Sequence, residues 1–152
     1  MAPHDVSEGR IKNIQNKYPD SIRYSQATGS NNSNILIIDK IGLLPYLYRY
    51  GDIAYVGGGF GKGIHNLAEA SVYGIPVVFG PNHQKFTEAE ELLKRGGGFS
   101  ISTTEELNTI ISKLLTDSDY RKTCRDSGAS YIYSGKGATD KIITELAEVV
   151  KK

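Results

Sequence analysis

The residues with the clearest chemical meaning lie between Ile53 and Pro81, in the run IAYVGGGFGKGIHNLAEASVYGIPVVFGP. Five glycines, Gly57, Gly58, Gly59, Gly61 and Gly63, fall within seven positions. Residues without a Cβ allow positive φ and let a ligand come close to the backbone. Five exceed what a turn needs, so the loop reads as a cradle for an anion rather than a turn alone. Lys62 lies inside it, where a cation either attracts a phosphate or is simply solvated. Further on, Asn66 stands where a helix N-cap belongs, and Glu69 follows three residues later. That pair is first of all a helix cap. A carboxylate beside a helix N-terminus also stays ionised and accepts hydrogen bonds from the vicinal hydroxyls of a ribose. His65 adjoins the pair and is a weaker candidate, because a lone histidine is more often structural.

Two familiar glycine codes are excluded. A P-loop needs Gly-x-x-x-x-Gly-Lys followed by Ser or Thr, whose hydroxyl binds magnesium. Here Lys62 is followed by Gly63, and the spacing from Gly57 to Gly61 is one residue short. The dinucleotide pattern Gly-x-Gly-x-x-Gly fails in every register, because its third glycine falls on Lys62, Ile64 or Asn66.

The elements that must position these residues are legible around them. Ile53 to Val56 is a short apolar run that predicts a buried strand. A helix is expected from near His65 or Asn66, ended by Gly74 and Pro76, and Val77 to Phe79 forms a second buried strand. Strand, loop, helix and strand make a βαβ unit with its loop at the carboxyl end of a strand, where open α/β sheets bind ligands. The helix start adds unpaired N–H groups that suit an anion.

Before this unit, Ala2 to Asp5 resembles the end of a strand and its exit loop, with the strand itself missing. Ser7 to Lys17 has helical spacing, with Ser7 as the candidate cap. Ile22 to Ser25 is a possible strand, Gln26 to Asn34 a polar loop and Ile35 to Ile38 a buried strand. Leu43 to Tyr50 reads as a short helix despite Pro45, which a first turn tolerates. After the central unit come a helix from Phe86 to Arg95, a strand from Phe99 to Ile101, and a Ser102-x-x-Glu105 capping box opening a helix to about Leu115. Asp117 or Ser118 caps another helix to about Tyr131, and Lys136 to Lys152 is the terminal one. The alternation predicts an α/β, doubly wound parallel sheet in one domain over 1–152, with its first strand truncated. The abrupt start suggests a piece of a longer enzyme.

Composition narrows the class. A chain of 152 residues suits one α/β domain with a real core. A formal charge of +1 gives no global electrostatic case for nucleic acid. The single cysteine, Cys124, cannot form an internal disulfide, and no apolar run is long enough to span a membrane. His4, His65 and His83 lack zinc spacing, so no metal is expected, and no Ser-His-Asp or Cys-His arrangement can be argued. Two further strand exits are open to a ligand. His4 follows Pro3 and either meets a phosphate or base or lies in solvent. Gly42, between Ile41 and Leu43, either presents its N–H to a ligand or makes the turn. Lys151 and Lys152 read as a solvated helix end.

The stretch GGGFGKGIHNLAEASVYGIPVVFGPN resembles the C-terminal domain of bacterial 3-deoxy-D-manno-octulosonic acid (Kdo) transferases. APHDVSE is similar to that family's Ala-Pro-(Arg or His)-x-x-x-Glu segment, IGLLPYLY to its loop and helix, and HNLAEA to its His-Asn-x-x-Glu. Where the family has Gly-Gly-His-Asn, this chain has Gly63, Ile64, His65 and Asn66. The resemblance implies a Rossmann-like domain of a two-domain GT-B glycosyltransferase in lipopolysaccharide assembly. It implies CMP-Kdo as donor and a lipid A precursor as acceptor, the latter bound with the general base by an N-terminal domain absent here. It also implies inversion at the anomeric centre, no metal, no other cofactor, and a place at the cytoplasmic face of the inner membrane. By the family's pattern the donor is held by Pro3 and His4, by Ile41, Gly42 and Leu43, and by Asn66, Leu67, Ala68 and Glu69. Gly58, Gly59, Lys62, Gly63 and His65 of the glycine loop complete the expected donor site, and no catalytic residue is expected in this chain. A UDP-dependent enzyme of similar architecture, or a non-catalytic nucleotide-binding domain, remains the alternative.

Overall fold

The computed structural model describes residues 1–29, 32–135 and 137–150. They fall into two compact units, Met1–Leu47 and Tyr48–Lys152.

In the first unit α1 (Glu8–Lys17) precedes β1 (Ser21–Arg23), β2 (Ile35–Ile37) and α2 (Leu44–Leu47). The strands pair in parallel from Ser21↔Ile35 to Arg23↔Ile37. The strand expected over Ile22 to Ser25 stops at Arg23, and Tyr24–Gln26 turns as a 3₁₀ helix. The Asp39 carboxylate takes the Ser25 N–H at 3.0 Å and its hydroxyl too, so Ser25 has no N–H left for the ladder. Met1 donates to Leu36 O and accepts from Ile38 N–H, the bonds of a parallel neighbour of β2. Ser7 is the N-cap of α1 by position, but its hydroxyl makes no cap bond and instead donates to Asp5 at 3.0 Å. The helix is tied to β1 by a two-pronged bridge in which Arg23 donates to both Glu8 oxygens at 2.7 and 2.9 Å.

The second unit opens with a 3₁₀ turn, Tyr48–Tyr50, and continues with β3 (Ala54–Val56), α3 (Ala68–Ser71), β4 (Val77–Phe79), α4 (Thr87–Arg95) and β5 (Gly98–Ser100). Its sheet has the order β3-β4-β5, every pair parallel. Three helices follow, α5 (Thr104–Thr116), α6 (Ser118–Ser134) and α7 (Ala138–Val150). The central strand is buried throughout, and its alternation sorts the core into two sets. Val77 and Phe79 belong to a cluster with Leu67, Ala70, Ala89 and Leu92. Val78 belongs to another with Ile101, Leu114 and Cys124. Apolar side chains thus cover both faces of β4, which a parallel strand requires because helices lie over it on each side.

One cap differs from the sequence reading, and at another the structure selects between the two candidates. The box is shifted one residue from Ser102 and Glu105: Thr103 Oγ1 accepts Glu106 N–H at 3.2 Å, while the Glu106 carboxylate reaches back to Ser102 N–H at 2.6 Å. Asp117, not Ser118, caps α6 through Tyr120 N–H at 2.8 Å, and α6 runs on to Ser134 rather than stopping near Tyr131. On α7 Ile142, Ile143, Leu146, Val149 and Val150 are exposed. Lys136, Lys151 and Lys152, included in the expected terminal helix, lie outside the described residues.

Candidate functional site

The glycine loop leaves β3 and folds back on itself at once. Gly61 N–H donates to Gly58 O at 2.9 Å, and His65 N–H donates to Gly57 O at 3.2 Å. Gly58 and Gly63 have φ of +94° and +133°, a region that favours glycine. The chain itself fills the space several of these residues leave. A Cβ on Gly58 would strike the Gly63 carbonyl, and one on Gly63 would come within 3.0 Å of the Phe86 ring. One on Gly59 would lie 2.6 Å from the backbone nitrogen of Gly80, just beyond β4. Only at Gly57 and Gly61 would a Cβ meet open space or ordinary contact. The loop after β4 is stapled to this one by Asn82, whose N–H donates to Gly59 O and whose Nδ2 donates to Gly61 O, both at 2.9 Å. Close packing, within this loop at Gly58 and between the two loops at Gly59 and Gly63, therefore accounts for the missing side chains there.

The helix expected from His65 or Asn66 begins later, at Ala68. Asn66 Oδ1 accepts Ala68 N–H at 2.9 Å, an Asx turn that holds the preceding residues outside the helix. Asn66 Nδ2 donates to Glu69 Oε1 at 3.2 Å. The two residues thus meet side chain to side chain, where a capping box would send the carboxylate to the backbone. Glu69 and Ala68 are half-buried, while His65, Asn66 and Lys62 are exposed. Leu67 is fully buried in the core, so only its backbone faces the site. Ile64 is buried in the same cluster, which explains how a bulky residue is accommodated between Gly63 and His65.

One neighbour of Glu69 carries no signature in the sequence. Tyr48 packs against the cluster that holds Leu67 and Ala70. Burial, and then the Glu69 charge, raise its phenol above the ordinary value. Nothing in the local pattern separates it from Tyr46 and Tyr50, which are exposed.

The remaining candidates belong to the first unit. Pro3 and His4 follow the Met1 pairing with β2, and Pro3 is half-buried while His4 is exposed. Ile41, Gly42 and Leu43 follow β2 itself, so both segments leave the carboxyl end of that sheet. Ile41 is 85% exposed. Gly42 has φ of +85° with open space where a Cβ would stand, and Leu43 O accepts the N–H groups of Tyr46 and Leu47 at the start of α2. Among the described residues no group of three or more His, Cys, Asp or Glu side chains is placed to hold a metal.

Chemically, the second unit offers a half-buried carboxylate held by an amide, and a braced glycine loop that carries an exposed lysine, in the connection that leaves β3. A carboxylate suits vicinal hydroxyls, and the loop and Lys62 suit a phosphate. No family model matches the chain. Over 85 residues, 55% of this chain and 24% of the other, it is 41% identical to a 3-deoxy-D-manno-octulosonic acid transferase of Aquifex aeolicus. Over 109 residues, 70% and 25%, it is 37% identical to one of Chlamydophila psittaci. The chain spans about a quarter of the length of these curated relatives. Among solved structures it is similar to the C-terminal CMP-Kdo binding domain of WaaA from Acinetobacter baumannii, with a TM-score of 0.71, 19% identity, and coverage of 80% of this chain and 66% of that one. The shared architecture is the α/β, Rossmann-like fold.

Proposed function

The chain is related to the bacterial Kdo transferases, and on that premise we propose that it is the donor-binding domain of a glycosyltransferase that moves Kdo from CMP-Kdo to a lipid A precursor. The observation that carries this reading is the Asn66–Glu69 pair, a half-buried carboxylate oriented by an amide beside the glycine loop. In this reading Glu69 accepts the ribose hydroxyls of the nucleotide. Asn66 holds that carboxylate in place, and the backbone of Leu67 and Ala68 closes over the nucleotide. Lys62, Gly58, Gly59, Gly63 and His65 surround its phosphate. In the first unit, Pro3, His4, Ile41, Gly42 and Leu43 are further donor contacts. The acceptor and the general base belong to another part of the enzyme, which works at the cytoplasmic face of the inner membrane without a metal or a further cofactor, and no nucleic acid takes part.

Calorimetric titration of the chain with CMP, UMP and NAD tests the reading. CMP is expected to bind most tightly. A preference for UMP would point to a UDP-sugar donor, and absence of binding by all three would remove the nucleotide-binding role.

A further inference from the structure

The loop after β4 carries a histidine that the donor site as drawn above does not use. His83 Nδ1 lies 2.9 Å from Glu90 Oε1, in the first turn of α4, and its ring stands edge-on to Phe79 with centroids 5.4 Å apart. Carboxylate and aromatic ring together fix the plane of the imidazole, with Nδ1–H donating to Glu90. Nε2 is left over. Among the described residues it has no hydrogen-bond partner, and no buried side-chain nitrogen or oxygen there is left unsatisfied. Nε2 therefore reaches solvent from a side chain that is only 12% exposed.

Its position gives that nitrogen a purpose. His83 directly follows Asn82, which is bonded twice to the glycine loop, and the loops touch backbone to backbone at Gly59 and Gly80. The two loops are therefore one braced platform at the carboxyl ends of adjacent parallel strands. We propose that His83 is a ligand contact of this platform: as the imidazolium, with Nδ1–H on Glu90, it donates Nε2–H to a phosphate oxygen of the bound nucleotide. The inference rests on the donor-domain reading.

Substitutions can separate the two nitrogens of His83. The amide of His83→Asn reaches the place of Nδ1 and keeps a donor for Glu90, but puts nothing at Nε2. His83→Gln reaches the place of Nε2 and gives up the Glu90 bond. CMP and cytidine, which differ in the phosphate, are titrated into the unaltered chain and both variants, alongside thermal melting. For His83→Asn, CMP affinity should fall about tenfold, the size expected of one charge-assisted hydrogen bond, with cytidine affinity unchanged. His83→Gln should recover most of the CMP preference. The ratio of the two affinities is unaffected by any unfolded fraction, so it decides even if a variant melts early. An unchanged ratio in His83→Asn, while the unaltered chain prefers CMP, overturns the inference and leaves His83 as a brace for α4. If the unaltered chain binds neither ligand, the donor-domain reading falls and this inference with it.

Discussion

At the scale of single residues, Glu69 is the test case, because structural and ligand roles forecast different outcomes. Glu69→Gln keeps the size and an oxygen that accepts the Asn66 amide, so as a structural partner of Asn66 alone it is nearly silent. As a ribose ligand it loses a charged acceptor, and CMP affinity should fall about tenfold or more, since charge-assisted hydrogen bonds are worth roughly 1.5–3 kcal/mol. A 2′-deoxy analogue of CMP supplies the control: it should bind the unaltered chain more weakly than CMP, and the Gln variant should barely distinguish the two. The same substitution bears on Tyr48. The Glu69 charge helps to raise that phenol, so neutralising it should lower the Tyr48 ionisation toward, but not to, the ordinary value, because burial remains. Carbon-detected NMR of labelled tyrosine across alkaline pH, with Tyr48→Phe to assign the signal, measures the change. Glu69 was visible in the sequence because a helix-start carboxylate has a local signature. Tyr48 was not, since its role depends on which of three nearby tyrosines packs toward α3.

At the scale of elements, loop packing changes what the glycines are expected to do. Gly59→Ala should destabilise the sheet unit by about 1–3 kcal/mol, because its Cβ meets the Gly80 backbone, which has no flexible end to give way. Gly61→Ala should cost well under that, since its Cβ would meet only Gly58 O at 3.7 Å. Denaturant unfolding of the two variants tests the contrast. The sequence could show that glycines cluster here, but not that Gly80 and Phe86, far along the chain, fill the space. The strands were legible because apolar runs bounded by Gly and Pro leave few options. Cap register was less so: Ser102, Thr103, Glu105 and Glu106 offer two overlapping boxes, and only the backbone path selects Thr103 and Glu106. In the first unit, the Arg23 fork holds the Glu8 carboxyl below its ordinary 4.5. Stability from this bridge is therefore complete above 4.5 and is lost as pH falls through the lowered native value. Acid unfolding of Glu8→Gln, followed by circular dichroism, should show a flatter dependence in that window than the unaltered chain. The effect is modest because Glu8 is largely exposed.

At the scale of the whole molecule, no described α7 residue belongs to either core cluster of the second unit. A chain ending at Gly137 should therefore melt within a few degrees of the full one, as differential scanning calorimetry would show. A drop comparable to losing a core residue would mean that α7 supports the sheet. In the proposed division of labour, the 152 residues bind CMP yet form no Kdo–lipid product on incubation with donor and lipid A precursor. General-base assistance alone is worth roughly 10²–10⁴-fold, and acceptor positioning adds more. Mass spectrometry of the mixture decides the point. The contact between Gly59 and Gly80 also reaches beyond this one molecule. Both partners already carry the smallest possible side chain, so neither can shrink to make room for growth in the other. Descent has no compensating step to take there: lineages that keep this loop pairing should keep both glycines, while Gly57 and Gly61 are free to drift.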